Sequence, residues 1–70
     1  MIDASQIKEQ MEVKGSDGRH VGTVDHVEGG RVWLASGGML HDIDLAFVDK
    51  IKNGAVCLTQ SAEDTTRPWH

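Results

Sequence analysis

Two-residue turn signals divide this 70-residue chain into short apolar runs that are rich in β-branched residues. Asp17-Gly18, Gly29-Gly30 and Asn53-Gly54 each separate two such runs. These residue pairs tolerate the positive φ angles that tight hairpin loops require, so they predict reversals between antiparallel strands. The chain is therefore expected to form a small domain in which β-structure predominates.

The second predicted strand, residues 19–28, contains three valines at positions 21, 24 and 27. Strict alternation along a strand cannot place residues three apart on the same face. A helix would accommodate this spacing, but the flanking turns and the β-branched content favour a strand interrupted by a bulge near Gly22 or Asp25. Such a bulge bends the sheet, which lets a short sheet enclose a core of its own.

Three further runs alternate regularly, and they predict an inward-facing set of apolar residues: Val32, Leu34, Ile43, Leu45, Val56 and Leu58. Helical turns are predicted at three places. Asp3 is placed to cap a turn over residues 4–9, with Ile7 and Met11 packing against one end of the sheet. The three-residue spacing of apolar side chains from Leu45 predicts a second turn near residues 46–51. A third begins near Ser61 and cannot pass Thr66, because Pro68 follows closely.

These patterns predict a mainly β fold, a strongly bent antiparallel barrel of five or six strands. One domain is expected over residues 1–60, followed by a C-terminal tail, residues 61–70, with one helical turn. The tail is expected to be mobile unless Trp69 docks on the barrel. A chain of this length buries only about 60% of its unfolded surface, and its single cysteine excludes an internal disulfide. Good packing or association must therefore supply the stability.

Charge and hydropathy narrow the classes of partner. The chain has 11 acidic and 7 basic residues, a formal net charge of -4, and its cations are scattered along the sequence. Nucleic-acid binding, which depends on a basic surface, is not expected. The N-terminus lacks the pattern of a signal peptide, and no apolar run approaches the roughly 20 residues of a membrane-spanning helix. The sequence therefore predicts a cytoplasmic protein with no membrane partner.

The residues that could carry chemistry are not arranged in a known motif. His20, His26 and His41, with nearby aspartates, are the weak candidates for metal ligands, and roles on a solvated surface or in turn capping are favoured for them. Cys57 alternates with inward-facing neighbours, which is typical of a small apolar filler. The glycines form no phosphate-binding loop. The sequence therefore predicts no catalytic site, no metal and no cofactor.

An outward-facing aromatic residue is the strongest sign of a binding surface. Alternation places Trp33 on the outer face with Ala35, and places Ala55 and Cys57 on the outer face of the last strand. These four residues and Trp69 form the predicted interaction surface. A large aromatic beside small residues is typical of a contact surface. Two interpretations stay open: Trp33 contacts a partner, or it covers one end of the barrel or packs under the tail against Trp69.

Two stretches of the chain resemble the PRC-barrel family. Residues 13–27 contain a polar Asp-Gly turn followed by a strand with the pattern Gly-x-Val-x-Asp, and residues 43–51 follow the order hydrophobic, polar, Leu, two variable positions, Val. The likeness spans about residues 3–59. The opening residues 1–7, the stretch 21–29 and the late Trp69 are also similar to a small stand-alone bacterial family of unknown function with this fold.

The resemblance implies a function as well as a fold. PRC-barrel domains are docking modules, known from the photosynthetic reaction centre H subunit and from ribosome maturation factors. By this likeness we expect a non-enzymatic protein-interaction module whose partner is another protein or a second copy of the chain. The alternative expectation is a protein that binds a small ligand or metal ion through the three histidines.

Overall fold

A computed structural model describes residues 4–69, which form six strands and several short helical segments. The strands are β1 (Glu12–Lys14), β2 (His20–Glu28), β3 (Arg31–Ser36), β4 (Met39–Asp44), β5 (Val48–Lys52) and β6 (Ala55–Leu58). One α-helix, α1 (Ala62–Thr66), follows them, and 3₁₀ turns occupy Ala4–Gln6, Leu45–Phe47 and Arg67–Trp69. The predicted mainly β character is confirmed, whereas the predicted cap at Asp3 lies outside the described residues.

The sheet differs from the predicted antiparallel barrel in two ways. Its strand order is β4-β3-β2-β1-β6-β5, and β1 pairs with β6 in parallel, with Val13 opposite Val56. β4 and β5 follow each other in the chain but form the two opposite edges, so the sheet is mixed and, within residues 4–69, is not closed. The cause is the connection at Leu45–Phe47, which crosses from one edge to the other instead of forming a hairpin.

The predicted irregularity in β2 is confirmed. The pairing of β2 with β3 shifts between Val24 and His26, so Asp25 is left without an opposite residue, as in a β-bulge. A second shift, in the pairing with β1, falls at Val21, next to the predicted Gly22. Each extra residue restores the inward direction for the next apolar side chain and increases the local bend. Val21 and Val24 are both buried as a result.

The helical or 3₁₀ turn predicted near residues 46–51 is present only in part. The 3₁₀ turn is confined to Leu45–Phe47, and the Asp44 carboxylate caps it by accepting from the Ala46 amide at 2.9 Å. Residues from Val48 onward form β5, whose pairing with β6 shifts between Val48 and Lys50. The apolar spacing of three thus comes from another bulge, not from continued helix. The N-terminal turn is also shorter than predicted, because it ends at Gln6.

The core lies against the concave inner face of this bent sheet. All six residues predicted to face inward pack in or against it, and its largest fully buried side chains are Leu34, Leu58, Val13, Val24, Val32 and Val56. Ile7 is buried and Met11 packs beside it, as predicted for the end of the sheet. Tight turns at Gly29-Gly30 and Asn53-Gly54 have positive φ at both residues, as the sequence predicted.

The C-terminal segment packs against the sheet through residue 69, so Trp69 docks, as one of the two expectations for the tail had it. The Ser61 hydroxyl caps α1 by accepting from the Asp64 amide at 3.1 Å, and Ala62 is buried in the core. The start of α1 rests on the β1–β2 loop, where the Asp17 carboxylate accepts from the Ala62 amide at 3.3 Å. A Cβ added at Gly15 would lie 2.2 Å from the Ala62 nitrogen. Only glycine allows the loop and the helix to come so close.

Gly15→Ala should displace α1. The new methyl group would collide with backbone atoms of residues 61 and 62, and overpacking of this kind costs about 1–3 kcal/mol. Gly18→Ala is the control, since a Cβ there meets no atom within 4 Å, although its φ of 82° carries a backbone cost. Thermal unfolding and Trp69 emission in a Trp33→Phe background would be measured. Both variants should lose stability, but only Gly15→Ala should red-shift the emission of Trp69. Equal Trp69 emission in the two variants would contradict the close contact between Gly15 and α1.

Asp17 should make the attachment of α1 dependent on pH. Partial desolvation raises the pKa of Asp17, but hydrogen bonds from the Ala62 and Arg19 amides and the nearby Arg19 charge outweigh it, so the pKa is lowered from its ordinary value of 3.8. A lowered folded-state pKa contributes stability above the unfolded-state pKa, and that contribution is lost as pH falls through the folded-state value.

Asp17→Asn keeps an acceptor oxygen but removes the charge. Thermal melting points should show the wild type more stable than Asp17→Asn at neutral pH, with the difference shrinking once the pH falls below about 4. A difference that stays constant from pH 7 to strongly acidic pH would mean that the charge of Asp17 does not stabilise the fold.

Candidate functional site

The outer face of β2, β3 and β4 carries a patch centred on Trp33. Trp33 lies opposite His26 on β2 and Asp42 on β4. Its neighbours Val32 and Leu34 point into the core, so alternation directs Trp33 outward. The His26 imidazole stacks on the indole with ring centroids 5.6 Å apart and planes 4° apart. The bulge at Asp25 places His26, instead of its neighbour, opposite Trp33.

Six outward-facing residues form this surface, which we call the Trp33 face: His26, Arg31, Trp33, Ala35, Leu40 and Asp42. The Arg31 guanidinium donates through Nε to the Asp42 carboxylate, an ion pair across β3 and β4. On the other side of Trp33, Ala35 lies opposite Leu40. The face therefore has a charged end at Arg31 and an apolar end at Leu40, with the indole between them.

The apolar end of the Trp33 face lies at an open edge of the sheet. β4 pairs with β3 on one side, and no other described strand pairs with its second side. The first two residues of β4, Met39 and Leu40, are 64% and 51% exposed. They project to opposite faces, so apolar side chains flank this backbone edge above and below.

The other edge strand is built differently. β5 presents exposed Asp49, Lys50 and Lys52, and charged residues on an edge, lysine above all, discourage the addition of another strand. The first part of β4 lacks such protection. The exposed side chains are therefore apolar at the start of the β4 edge and charged along the β5 edge. This difference decides which edge can pair with another chain.

Trp69 occupies the opposite side of the sheet from Trp33. Its indole stacks on the His41 imidazole with centroids 4.1 Å apart and planes 2° apart. His41 lies opposite Leu34, whose side chain is in the core, so His41 and Trp69 belong to the inner side. The C-terminal segment thus runs from the β1–β2 loop, where Ala62 contacts Asp17, to β4. It covers the inner side of the sheet beside the open edge.

The residues predicted as one interaction surface fall into three places. Trp33 and Ala35 lie together on the outer face, whereas Trp69 is on the inner side. Ala55 lies between β1 and β5 and is only 5% exposed. Cys57 is partly buried on β6, which β2 and β1 separate from β3 in the sheet. The structure therefore joins two of the predicted residues and adds Leu40 to them.

Each of the three candidate histidines has its own local partner. His20 Nδ1 lies 2.9 Å from the Glu12 carboxylate, His26 Nδ1 lies 2.6 Å from Asp25, and His41 is covered by Trp69. Among residues 4–69, no group of three or more His, Cys, Asp or Glu side chains is arranged to hold a metal ion. The geometry gives each histidine a local partner instead.

Sequence reasoning overlooked Met39 and Leu40. The alternating run that predicts Ile43 and Leu45 to face inward begins at His41, and it leaves these two residues outside any predicted strand. Their signal was the Gly37-Gly38 pair just ahead of them, which has the same form as the other hairpin turns and has positive φ at both residues. That turn predicts a strand starting at Met39, where β4 begins.

The comparisons with known proteins identify a family. A family model described as an uncharacterized protein conserved in bacteria, DUF2171, matches residues 7–66. The chain belongs to this family, in agreement with the predicted likeness to a small bacterial family of unknown function. No curated protein matches the chain. None of the helices in the described part is long and apolar enough to cross a membrane.

The two tryptophan–histidine pairs can be tested separately by fluorescence. Each single-tryptophan variant, Trp33→Phe or Trp69→Phe, leaves one indole as a reporter. His26→Ala should red-shift the emission of Trp33, because the indole loses its covering ring, and should leave Trp69 unchanged. His41→Ala should do the reverse. Red shifts that do not follow this pairing would show that the stacking partners are wrong.

Proposed function

We propose that this member of the DUF2171 family is a non-enzymatic protein-interaction module that docks its partner along the edge of β4. One observation carries the proposal: β4 is an open edge strand whose exposed residues Met39 and Leu40 are apolar, next to the Trp33 face. Proteins usually protect such edges because they invite pairing with another chain. An unprotected edge on one side of the sheet gives a partner strand one place to pair.

The expected binding mode is strand addition. An extended segment of the partner would form main-chain hydrogen bonds with the free side of β4, and its side chains would alternate between the two faces. On the outer face they would contact Leu40, Ala35 and Trp33. On the inner side they would contact Met39 and the His41–Trp69 pair. Aromatic anchors of this kind carry a large share of the binding energy in protein interfaces.

The partner is another protein or a second copy of this chain. The likeness to PRC-barrel domains supports a docking role, and we propose that the bent sheet is an open relative of that fold. A core filled by its own side chains supports binding at the surface over catalysis in an internal pocket. We also propose action in the cytoplasm, where the single Cys57 would stay reduced.

Leu40→Lys should weaken docking, because it places a charge on the apolar end of the open edge. Thr59→Lys is the matched control: Thr59 is also exposed, receives the same charge, and lies just after β6. Sedimentation equilibrium over a range of concentrations would measure self-association. If the partner is a second copy, dimerisation should weaken in Leu40→Lys and remain in Thr59→Lys.

A photo-crosslinking amino acid at position 40 or 59 would test for a different partner in bacterial cells. A discrete adduct obtained from position 40 and absent from position 59 would support the proposal. A strictly monomeric protein that gives no adduct from position 40, or gives the same adducts from both positions, would contradict it.

A further inference from the structure

Three of the four lysines of this acidic chain line one groove, on the side of the sheet away from β4. The groove lies over β1, β6 and β5, has a volume of about 370 Å³, and is lined by Lys14, Lys50 and Lys52 together with Cys57. The chain has 11 acidic residues, yet of those that lie within residues 4–69 only Asp49 lines this groove. The local charge is therefore opposite in sign to that of the whole protein.

The sheet register explains why the lysines converge. Cys57 lies opposite Lys14 on one side and Lys50 on the other, so the three residues form a row across neighbouring strands. Strands in a sheet are about 4.8 Å apart, which places the two lysines about 10 Å apart with a small side chain between them. Lys52 follows Lys50 by two residues and faces the same way. Long, flexible side chains at this spacing can reach one bound group above Cys57.

The charges in the groove are largely unneutralised. Lys14 pairs with Glu12 at 3.8 Å, but neither Lys50 nor Lys52 has a carboxylate within 4.0 Å among the residues that the structure describes. The edge position of β5 keeps both of these side chains exposed. Two ammonium groups are therefore available to a ligand. The Lys14 ammonium is a third, which can exchange Glu12 for the ligand.

The β1–β2 loop, which lies beside the groove, restricts how a ligand is held. The amides of Gly15, Ser16 and Gly18 already donate to carbonyls within the protein, at 2.9, 2.8 and 2.9 Å. A phosphate-binding nest of backbone amides is thus not offered at these three positions. Side chains that line the groove can hold the ligand instead, namely the three lysines with the Ser16 hydroxyl and the Asn53 amide.

We propose that this groove binds a small phosphate-bearing ligand, a phosphate monoester dianion held by Lys14, Lys50 and Lys52. Several lysine point charges with hydroxyl and amide donors suit a compact, multiply charged anion. The volume accommodates a phosphate with a small organic group. This site is independent of docking at β4, because β1 and β5 lie on the other side of the sheet from β3 and β4 in strand order.

Backbone amide chemical shifts, followed while inorganic phosphate or methyl phosphate is added at constant ionic strength, test the proposal. Shifts should concentrate at residues 14–18, 50–53 and 57, with a dissociation constant in the range of about 1 mM. Each lysine removed should weaken binding about fivefold, the size of one charge–charge contact in water. The double variant Lys50→Gln/Lys52→Gln should therefore bind about 25-fold more weakly.

Lys8→Gln is the matched control, because Lys8 is the one lysine outside the groove. It should bind phosphate like the wild type, and so should Leu40→Lys, which alters only the docking edge. Co-sedimentation with phosphatidic acid vesicles distinguishes the source of the phosphate: binding to soluble methyl phosphate without co-sedimentation supports a small ligand, whereas binding to vesicles alone would overturn that assignment.

Cys57 provides a second readout that does not require tight binding. A dianionic aromatic disulfide reagent should react faster with this thiol than a neutral dipyridyl disulfide does, once each rate is divided by its rate with a free small thiol. Phosphate should slow the dianionic reagent only, and the Lys50→Gln/Lys52→Gln variant should abolish the preference. No preference in the wild type, or phosphate shifts spread evenly over the surface and unchanged in the double variant, would overturn the proposal.

Discussion

The parallel pairing of β1 with β6 holds the two halves of this fold together. β1 to β4 form one consecutive set of hairpin-connected strands, and β5 with β6 forms a separate hairpin. Only the contact of β1 with β6 makes them one sheet, and at that contact Val13 and Val56 face each other with no exposed surface. The pairing of β1 with β6 determines that β4 and β5 become the edge strands.

Two surfaces of different chemistry follow from this arrangement. The crossing connection after β4 leaves β4 and β5 at opposite ends of the strand order. Apolar residues at the start of β4 make one edge suited to pairing with another chain. Lysines on β5, with Lys14 on β1, give the other side a positive groove. One sheet thus carries the proposed docking edge and the proposed anion site on separate parts of the strand order.

The sequence predicts local features of this fold better than the pairing between distant strands. Gly29-Gly30 and Asn53-Gly54 identify their hairpins because a tight turn is decided by the φ angles of two residues. The bulge at Asp25 is detectable because it interrupts alternation. The same interruption at Val48 predicts a helical turn, because a spacing of three does not distinguish a bulge from a short helix.

The candidate site was predictable only in part. Alternation predicts that Trp33 and Ala35 face outward, but it cannot determine which strand lies beside them. The parallel arrival of β6 next to β1 depends on contacts over some 40 residues of chain, and no local pattern encodes it. For that reason Cys57 was grouped with Trp33, whereas the structure places it between Lys14 and Lys50.

Amide hydrogen exchange of the monomeric protein tests the open edge most directly. If β4 is unpaired on one side, the amides of Met39–Asp44 that point toward β3 should be protected and the alternate amides should exchange rapidly. Binding of a partner strand should then protect the amides that point away from β3. Uniform, strong protection of every amide in β4 in the isolated monomer, like that of central β1, would mean that the edge is already covered and would contradict docking there.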